Sequence, residues 1–188
     1  MKPDKCWRQV GGVPMIARVA RAVASVVDQT LIVGGSQTPE GIQLVADTDP
    51  GAGPLVAIAT GMRATEADLY LVVACDIPLV TSELLQYLMD SAAGVDAVVP
   101  MVAGFYEPLC AMYARQCLPA INQALASGRR RADSFLPEVQ VRRIMEAELA
   151  QFGPPKDLLL NVNTPEELAR VEQVIVTMKP DGSHSGFH

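Results

Sequence analysis

A chain of 188 residues with 49% hydrophobic and 19% charged side chains has the size and composition of one globular domain and lies outside the disordered and fibrous classes. Its 15 basic side chains against 21 acidic ones leave a formal charge of −6, which argues against broad binding to a nucleic-acid backbone. A small anionic substrate stays open, because one lysine, a helix N-terminus and a divalent metal can supply a local positive field. No apolar run approaches the length of a helical membrane span, and no signal-peptide core follows the amino terminus. Cys6, Cys75, Cys110 and Cys117 form no Cys-x-x-Cys pair, so zinc is not expected and four free thiols in a reducing cytoplasm are.

In chain order, Val13 onward turns helical: Pro14 suits a first helical position, and Ile16, Val19, Val23 and Val27 recur on one face. Thr30 to Val33 is a short buried strand ended by Gly34-Gly35, and Ile42 to Ala46 is another. Asp47-Thr-Asp-Pro-Gly-Ala-Gly-Pro-Leu55 places two glycines, free to adopt positive φ, before a helix opened by Pro54 with Leu55, Ile58 and Met62 inward. The free amides at such a start favour anions, although any tight turn could use the same residues.

The stretch Leu69 to Leu79, Leu-Tyr-Leu-Val-Val-Ala-Cys-Asp-Ile-Pro-Leu, reads as a strand buried on both faces of a parallel sheet. Asp76 stands at its carboxyl end, where open α/β sheets bind ligands and where a carboxylate suits a hard cation bridged to phosphate. The alternative is a carboxylate that caps the next turn. Thr81-Ser-Glu83 starts a helix with Leu84, Leu85 and Leu88 buried; Asp96 to Met101 and Leu109 to Ala114 are strands; and Pro119 opens a helix ended by Gly128. Arg129, Arg130 and Arg131 then form either a solvated patch favourable to the helix dipole or an oxyanion-binding loop. Val139 to Met145 and Leu158 to Asn161 are expected strands, and Thr164-Pro-Glu-Glu167 is a capped helix start with Leu168, Val171 and Ile175 inward. Asn161 and Asn163 fall between strand end and helix cap, where they can simply turn the chain or can hold phosphate, ribose or a metal-bound water. The tail from Thr177, with His184 and His188, is expected to be disordered.

Taken together, Ala74-Cys-Asp-Ile-Pro78, Asn161-Val-Asn-Thr-Pro-Glu-Glu-Leu168, Gly53-Pro-Leu55, Asp4-Lys5 followed by Gly12-Val-Pro-Met-Ile16, and Glu107-Pro-Leu-Cys-Ala-Met-Tyr113 resemble, in order and spacing, the nucleotidyltransferases and among them the molybdenum cofactor guanylyltransferases. The resemblance covers residues 1–176 and implies an α/β, three-layer, Rossmann-like nucleotidyltransferase fold with a mostly parallel central sheet. It also implies that GMP passes from GTP to molybdopterin, or to its molybdenum-bound form, with release of pyrophosphate, in the cytoplasm, among the other proteins that make or accept that cofactor. Cytidylyl relatives typically carry Asp where this chain has Asn161 and Asn163, which favours guanine.

Carried over by motif, Asp76 would hold Mg²⁺ and Lys5 would offset triphosphate charge. Asp47 and Gly53 would contact the nucleoside, and Asn161 and Asn163 would order phosphates or the metal's shell. Arg129, Arg130 and Arg131 are assigned to the pterin phosphate. The family's first strand and its Leu-Ala-Gly-Gly loop precede the position matched by Met1, so an N-terminally incomplete domain is expected. Two other readings follow from the same features: a cytidylyl- or sugar-nucleotide transferase of this fold, and a module that binds molybdopterin with its catalysis impaired.

Overall fold

The computed structural model describes residues 5–47, 49 and 51–178. A short hairpin of β1 (Gln9–Val10) and β2 (Val13–Pro14) leads into α1 (Met15–Ala24). Pro14 therefore sits just before the helix, paired with Gln9, instead of at the first helical position. Then come β3 (Leu31–Val33), β4 (Gln43–Val45), α2 (Pro54–Arg63), β5 (Leu69–Val73), α3 (Ser82–Asp90), β6 (Ala97–Val102), β7 (Phe105–Tyr106), β8 (Cys110–Ala114) and α4 (Leu118–Ala126). The remainder is β9 (Val141–Ile144), two one-turn helices α5 (Glu146–Leu149) and α6 (Pro155–Leu158), and the long α7 (Pro165–Met178).

The main sheet has the order β5-β8-β6-β7, with β9 added in parallel to β6. Strand β8 is antiparallel to both β5 and β6, so β5, β6 and β9 run one way and β8 runs back between them. Strands β3 and β4 pair in parallel as a separate sheet. Side-chain alternation on β6 and β8 builds two cores. Val98, Cys110 and Met112 join Val19 and Val23 of α1 and Leu84, Leu85 and Leu88 of α3. Ala97, Val99, Ala111 and Tyr113 join Leu55, Ile58 and Met62 of α2 and Ile121 and Ala124 of α4. Helices thus cover both faces, giving the three-layer α/β architecture.

Strand β5 departs from its expected burial. Its side chains do alternate between the two cores, Leu71 and Val73 toward one and Tyr70 and Val72 toward the other. It pairs only with β8 among the described residues, however, so it is an edge strand; Leu69 is 38% exposed and the next four residues are half-buried. The expected strand at Leu158 to Asn161 is also absent: Leu158 closes α6, whose start is set by Pro154-Pro155, and the following residues form no ladder. Helix α7 continues through Thr177 to Met178; the rest of the expected tail, and Met1 to Asp4, lie outside the described residues. Among the described residues, no helix is long and apolar enough to cross a membrane.

Candidate active site

The carboxyl end of β5 meets the amino-terminal loop and the entry to α7 at one edge of the sheet. Strand β5 ends at Val73, earlier than the sequence suggests, and the chain turns through Cys75 and Asp76; the carbonyl of Asp76 accepts from the backbone N–H of Val162 at 2.8 Å. Beneath this junction Val10, Met15, Leu79, Val162, Val171 and Ile175 form a third apolar cluster. Burial of each such side chain contributes on the order of 2 kcal/mol, enough to hold three distant stretches of chain together. The amino-terminal loop is further fixed by Ile16 N–H donating to the Cys6 carbonyl and Met15 N–H to that of Arg8, both at 3.0 Å.

On that platform the Lys5 ammonium donates to Oδ2 of Asp76 at 3.0 Å and to Oδ1 of Asn163. Both partners of the ion pair are largely buried, with side-chain exposures of 13% and 12%. Asn163 is held in turn through its backbone: its N–H and that of Thr164 donate to Glu167, and Thr164 Oγ1 accepts from Glu167 N–H, a reciprocal cap on α7. Those two N–H groups hold the Glu167 carboxyl below its ordinary range. Cys6 and Cys75, each one residue from a member of the cluster, are joined by a disulfide with their Cα atoms 5.8 Å apart. That corrects the expectation of four free thiols. Their separation of 69 positions in sequence conceals their proximity, which only the docking of the amino-terminal loop on β5 creates. Cys110 and Cys117 are free and buried.

Beside the cluster opens a cavity of about 430 Å³, walled by residues that include Ile77, Pro108, Leu109 and Leu159, with Asn161, Glu107, Arg130 and Arg131 also on its surface. The three arginines diverge. Arg129 donates to the Ser134 carbonyl at 2.6 Å and pairs with Glu138 at 3.0 Å, inside its own loop. Arg130 donates to the Leu125 carbonyl at the end of α4, as the helix-dipole reading expects. Arg131, 83% exposed, forks onto Asp133 at 3.1 and 2.9 Å and holds that carboxyl below its usual range.

Gly53 joins this loop to α2. Its φ is +104°, and a Cβ there would lie 2.9 Å from the Arg130 carbonyl oxygen, so the approach of the two backbones requires glycine. Asp47 lies apart from the cavity lining, against Gly34, where it accepts from the Asp49 N–H at 3.2 Å. Lys5, Asp76 and Asn163 are therefore brought into one cluster, Gly53, Asn161, Arg130 and Arg131 onto the adjoining cavity, and Asp47 and Arg129 onto neither. Sequence reasoning assigned no role to Glu107, although the Glu-Pro pair just before a strand marks a side chain held at a sheet edge.

Residues 1–144 match the family described as MobA-like NTP transferase domain. A probable molybdenum cofactor guanylyltransferase of Pelotomaculum thermopropionicum is 32% identical over 90% of this chain and 84% of its own. The molybdenum cofactor guanylyltransferase of Desulfosudis oleivorans is 32% identical over 92% and 87%. Among solved structures, molybdopterin-guanine dinucleotide biosynthesis protein A of Archaeoglobus fulgidus superposes with a TM-score of 0.78 at 25% identity, covering 93% of this chain and 91% of that one. A 2-C-methyl-D-erythritol 4-phosphate cytidylyltransferase of Thermus thermophilus, at 18% identity, a TM-score of 0.71 and coverage of 92% and 94%, shares the fold. With most of its length matched by the family and its curated relatives alike, this chain belongs to the MobA-like nucleotidyltransferases.

Proposed function

We propose that this protein transfers GMP from GTP to the terminal phosphate of molybdopterin, or of its molybdenum-bound form, and releases pyrophosphate. The observation that carries the reading is the convergence of Lys5, Asp76 and Asn163 beside a cavity of about 430 Å³ in a chain of the nucleotidyltransferase family. Substitution at an α-phosphorus asks the protein chiefly to position two phosphates and neutralise charge. Lys5 is suited to the triphosphate, and Asn161, between the cluster and the cavity, to the incoming phosphate. Arg130 and Arg131 are assigned to the acceptor's phosphate from their place on the cavity; Arg129 supports their loop. Asp47 and Gly53 are assigned to the nucleoside end.

Mg²⁺ fits the donor set. The oxygens of Asp76 and Asn163 already gather about a cationic group, and Mg²⁺ takes one or two protein oxygens with the rest of its shell from substrate phosphates and water. Asp76 and Asn163 would hold it, and when bound it supplies charge neutralisation at the α-phosphate. The cytoplasm is the compartment proposed for the reaction. The test is pyrophosphate release with Mg²⁺ and molybdopterin, GTP against CTP: release with GTP at least about ten times faster is expected, and equal rates or no release overturn the assignment.

A further inference from the structure

Glu107 is the one carboxylate on the cavity's lining that no arginine there pairs with, Asp133 being held by Arg131. It sits on the wall, half-buried, and among the described residues its carboxylate takes part in no hydrogen bond or ion pair, although two arginines line the same cavity. Neither arginine donates to it: Arg130 donates to the Leu125 carbonyl and Arg131 to Asp133. An unpaired, partly desolvated carboxylate is costly and is kept where a ligand completes it. Burial alone raises its pKa above the ordinary value, with no charged partner contributing.

The position of Glu107 is also well fixed. Its N–H donates to the Pro100 carbonyl at 2.9 Å, its carbonyl accepts from Cys110 N–H at 3.1 Å, and the Tyr113 hydroxyl donates to the next carbonyl, that of Pro108, at 2.7 Å. The walls Pro54, Ile77, Pro108, Leu109 and Leu159 offer flat or aliphatic surface; of the other acceptor side chains on the lining, Asp133 is taken by Arg131 and the Tyr106 hydroxyl by Arg143, and Asn161 carries an amide where Glu107 carries a carboxylate. A planar ring with two adjacent N–H donors on one edge matches both properties: its faces pack on the walls and its edge meets the two carboxylate oxygens. Guanine and pterin share such an edge, the ring N–H beside an exocyclic amino group next to a carbonyl.

We propose that Glu107 is the specificity-determining residue of this cavity, accepting both hydrogen bonds from the 2-amino-4-oxo-pyrimidine edge common to guanine and pterin. The proposal deepens the guanylyl-transfer reading and rests on it for the choice of ligands. Sites built to satisfy a particular donor set reject analogues that lack it, because the buried acceptor is then left unpaired.

The test is equilibrium binding to the full chain with Mg²⁺ present, in two arms. Pterin is compared with lumazine, in which an oxo group replaces the 2-amino group, by fluorescence titration; GTP is compared with ITP, which lacks the amino group, by calorimetry. The wild type is expected to prefer the amino ligand by about ten- to a hundred-fold on one arm, and that arm identifies the ring bound. Glu107→Gln is expected to reduce the preference to within about two-fold. If Glu107→Gln is unfolded by circular dichroism, Glu107→Asp, which retracts the carboxylate by one methylene, is expected to show the same loss. A preference unchanged in the folded variant, or absent from the wild type on both arms, overturns the proposal. Pyrophosphate release by the wild type separates the two readings: no release with the preference and its loss intact overturns guanylyl transfer alone, and release with the preference indifferent to Glu107 overturns the role of Glu107 alone.

Discussion

Two regions meet at the same sheet edge and treat charge in opposite ways. In the cluster, Lys5, Asp76 and Asn163 satisfy one another, and the loops carrying them are clamped by an apolar platform and a helix cap. In the cavity, Glu107 has no partner among the described residues, while the neighbouring arginines donate to other groups. The contrast separates two kinds of preparation. A site for phosphates and a cation can hold its charges against each other until substrate exchanges them, whereas a site that selects a ring edge must keep an acceptor open.

Breaking the cluster should have the largest effect. Asp76→Asn keeps the shape and an acceptor for Lys5 but removes the anionic ligand, so kcat for GTP-dependent pyrophosphate release should fall by about a hundred-fold or more, with circular dichroism unchanged. Retained turnover would show that the cluster is structural. The seam between the regions comes next. Gly53→Ala introduces a Cβ against the Arg130 carbonyl at positive φ and should cost about 1–3 kcal/mol in urea unfolding while weakening substrate binding at the cavity. If stability is unaffected, the two loops are free to separate.

The smallest effect concerns the open carboxylate. Burial raises the Glu107 pKa above the ordinary 4.5, so the folded state binds that proton more tightly than the unfolded one. The associated stability is fully present below about pH 4.5 and is lost as pH rises through the folded value. Relative to the wild type, Glu107→Gln should therefore gain stability toward neutral pH, by roughly a few tenths of a kcal/mol because half-exposure screens the group. Thermal melts of both proteins from pH 4 to 8 read the difference; parallel curves would mean that the carboxylate has a partner in solution.

Much of the cluster could be read before the fold was known, because its residues lie in stretches with strong local character. Asp76 follows an apolar run and precedes Ile-Pro, and Asn163 precedes a capping box. Helices α2, α3 and α7 begin where Pro54, Thr81 and Thr164 mark them. What could not be read depended on contacts distant in sequence. Among the described residues β5 pairs with β8 alone, which its side chains do not announce, and the Cys6–Cys75 link appears only when the first loop docks. The run Leu158 to Asn161 is apolar enough for a strand, yet Pro154-Pro155 had already begun a helical turn there. The arginine row looked like one feature, but its members go to different partners, Arg129 to Ser134 and Glu138, Arg130 to Leu125 and Arg131 to Asp133.

The reversed direction of β8 bears on how such an enzyme could diversify. Since β8 starts opposite the end of β5, with Val73 facing Cys110, the segment that feeds it, β7 and the turn to Leu109, comes to the site from the far side of β6. It starts in the open, with Phe105 73% exposed. Insertions or exchanges in that segment would change the wall carrying Glu107 without moving the end of β5 that leads to Asp76. Acceptor choice could then drift over generations while the phosphate chemistry stayed fixed, which would let one scaffold serve several heterocyclic acceptors.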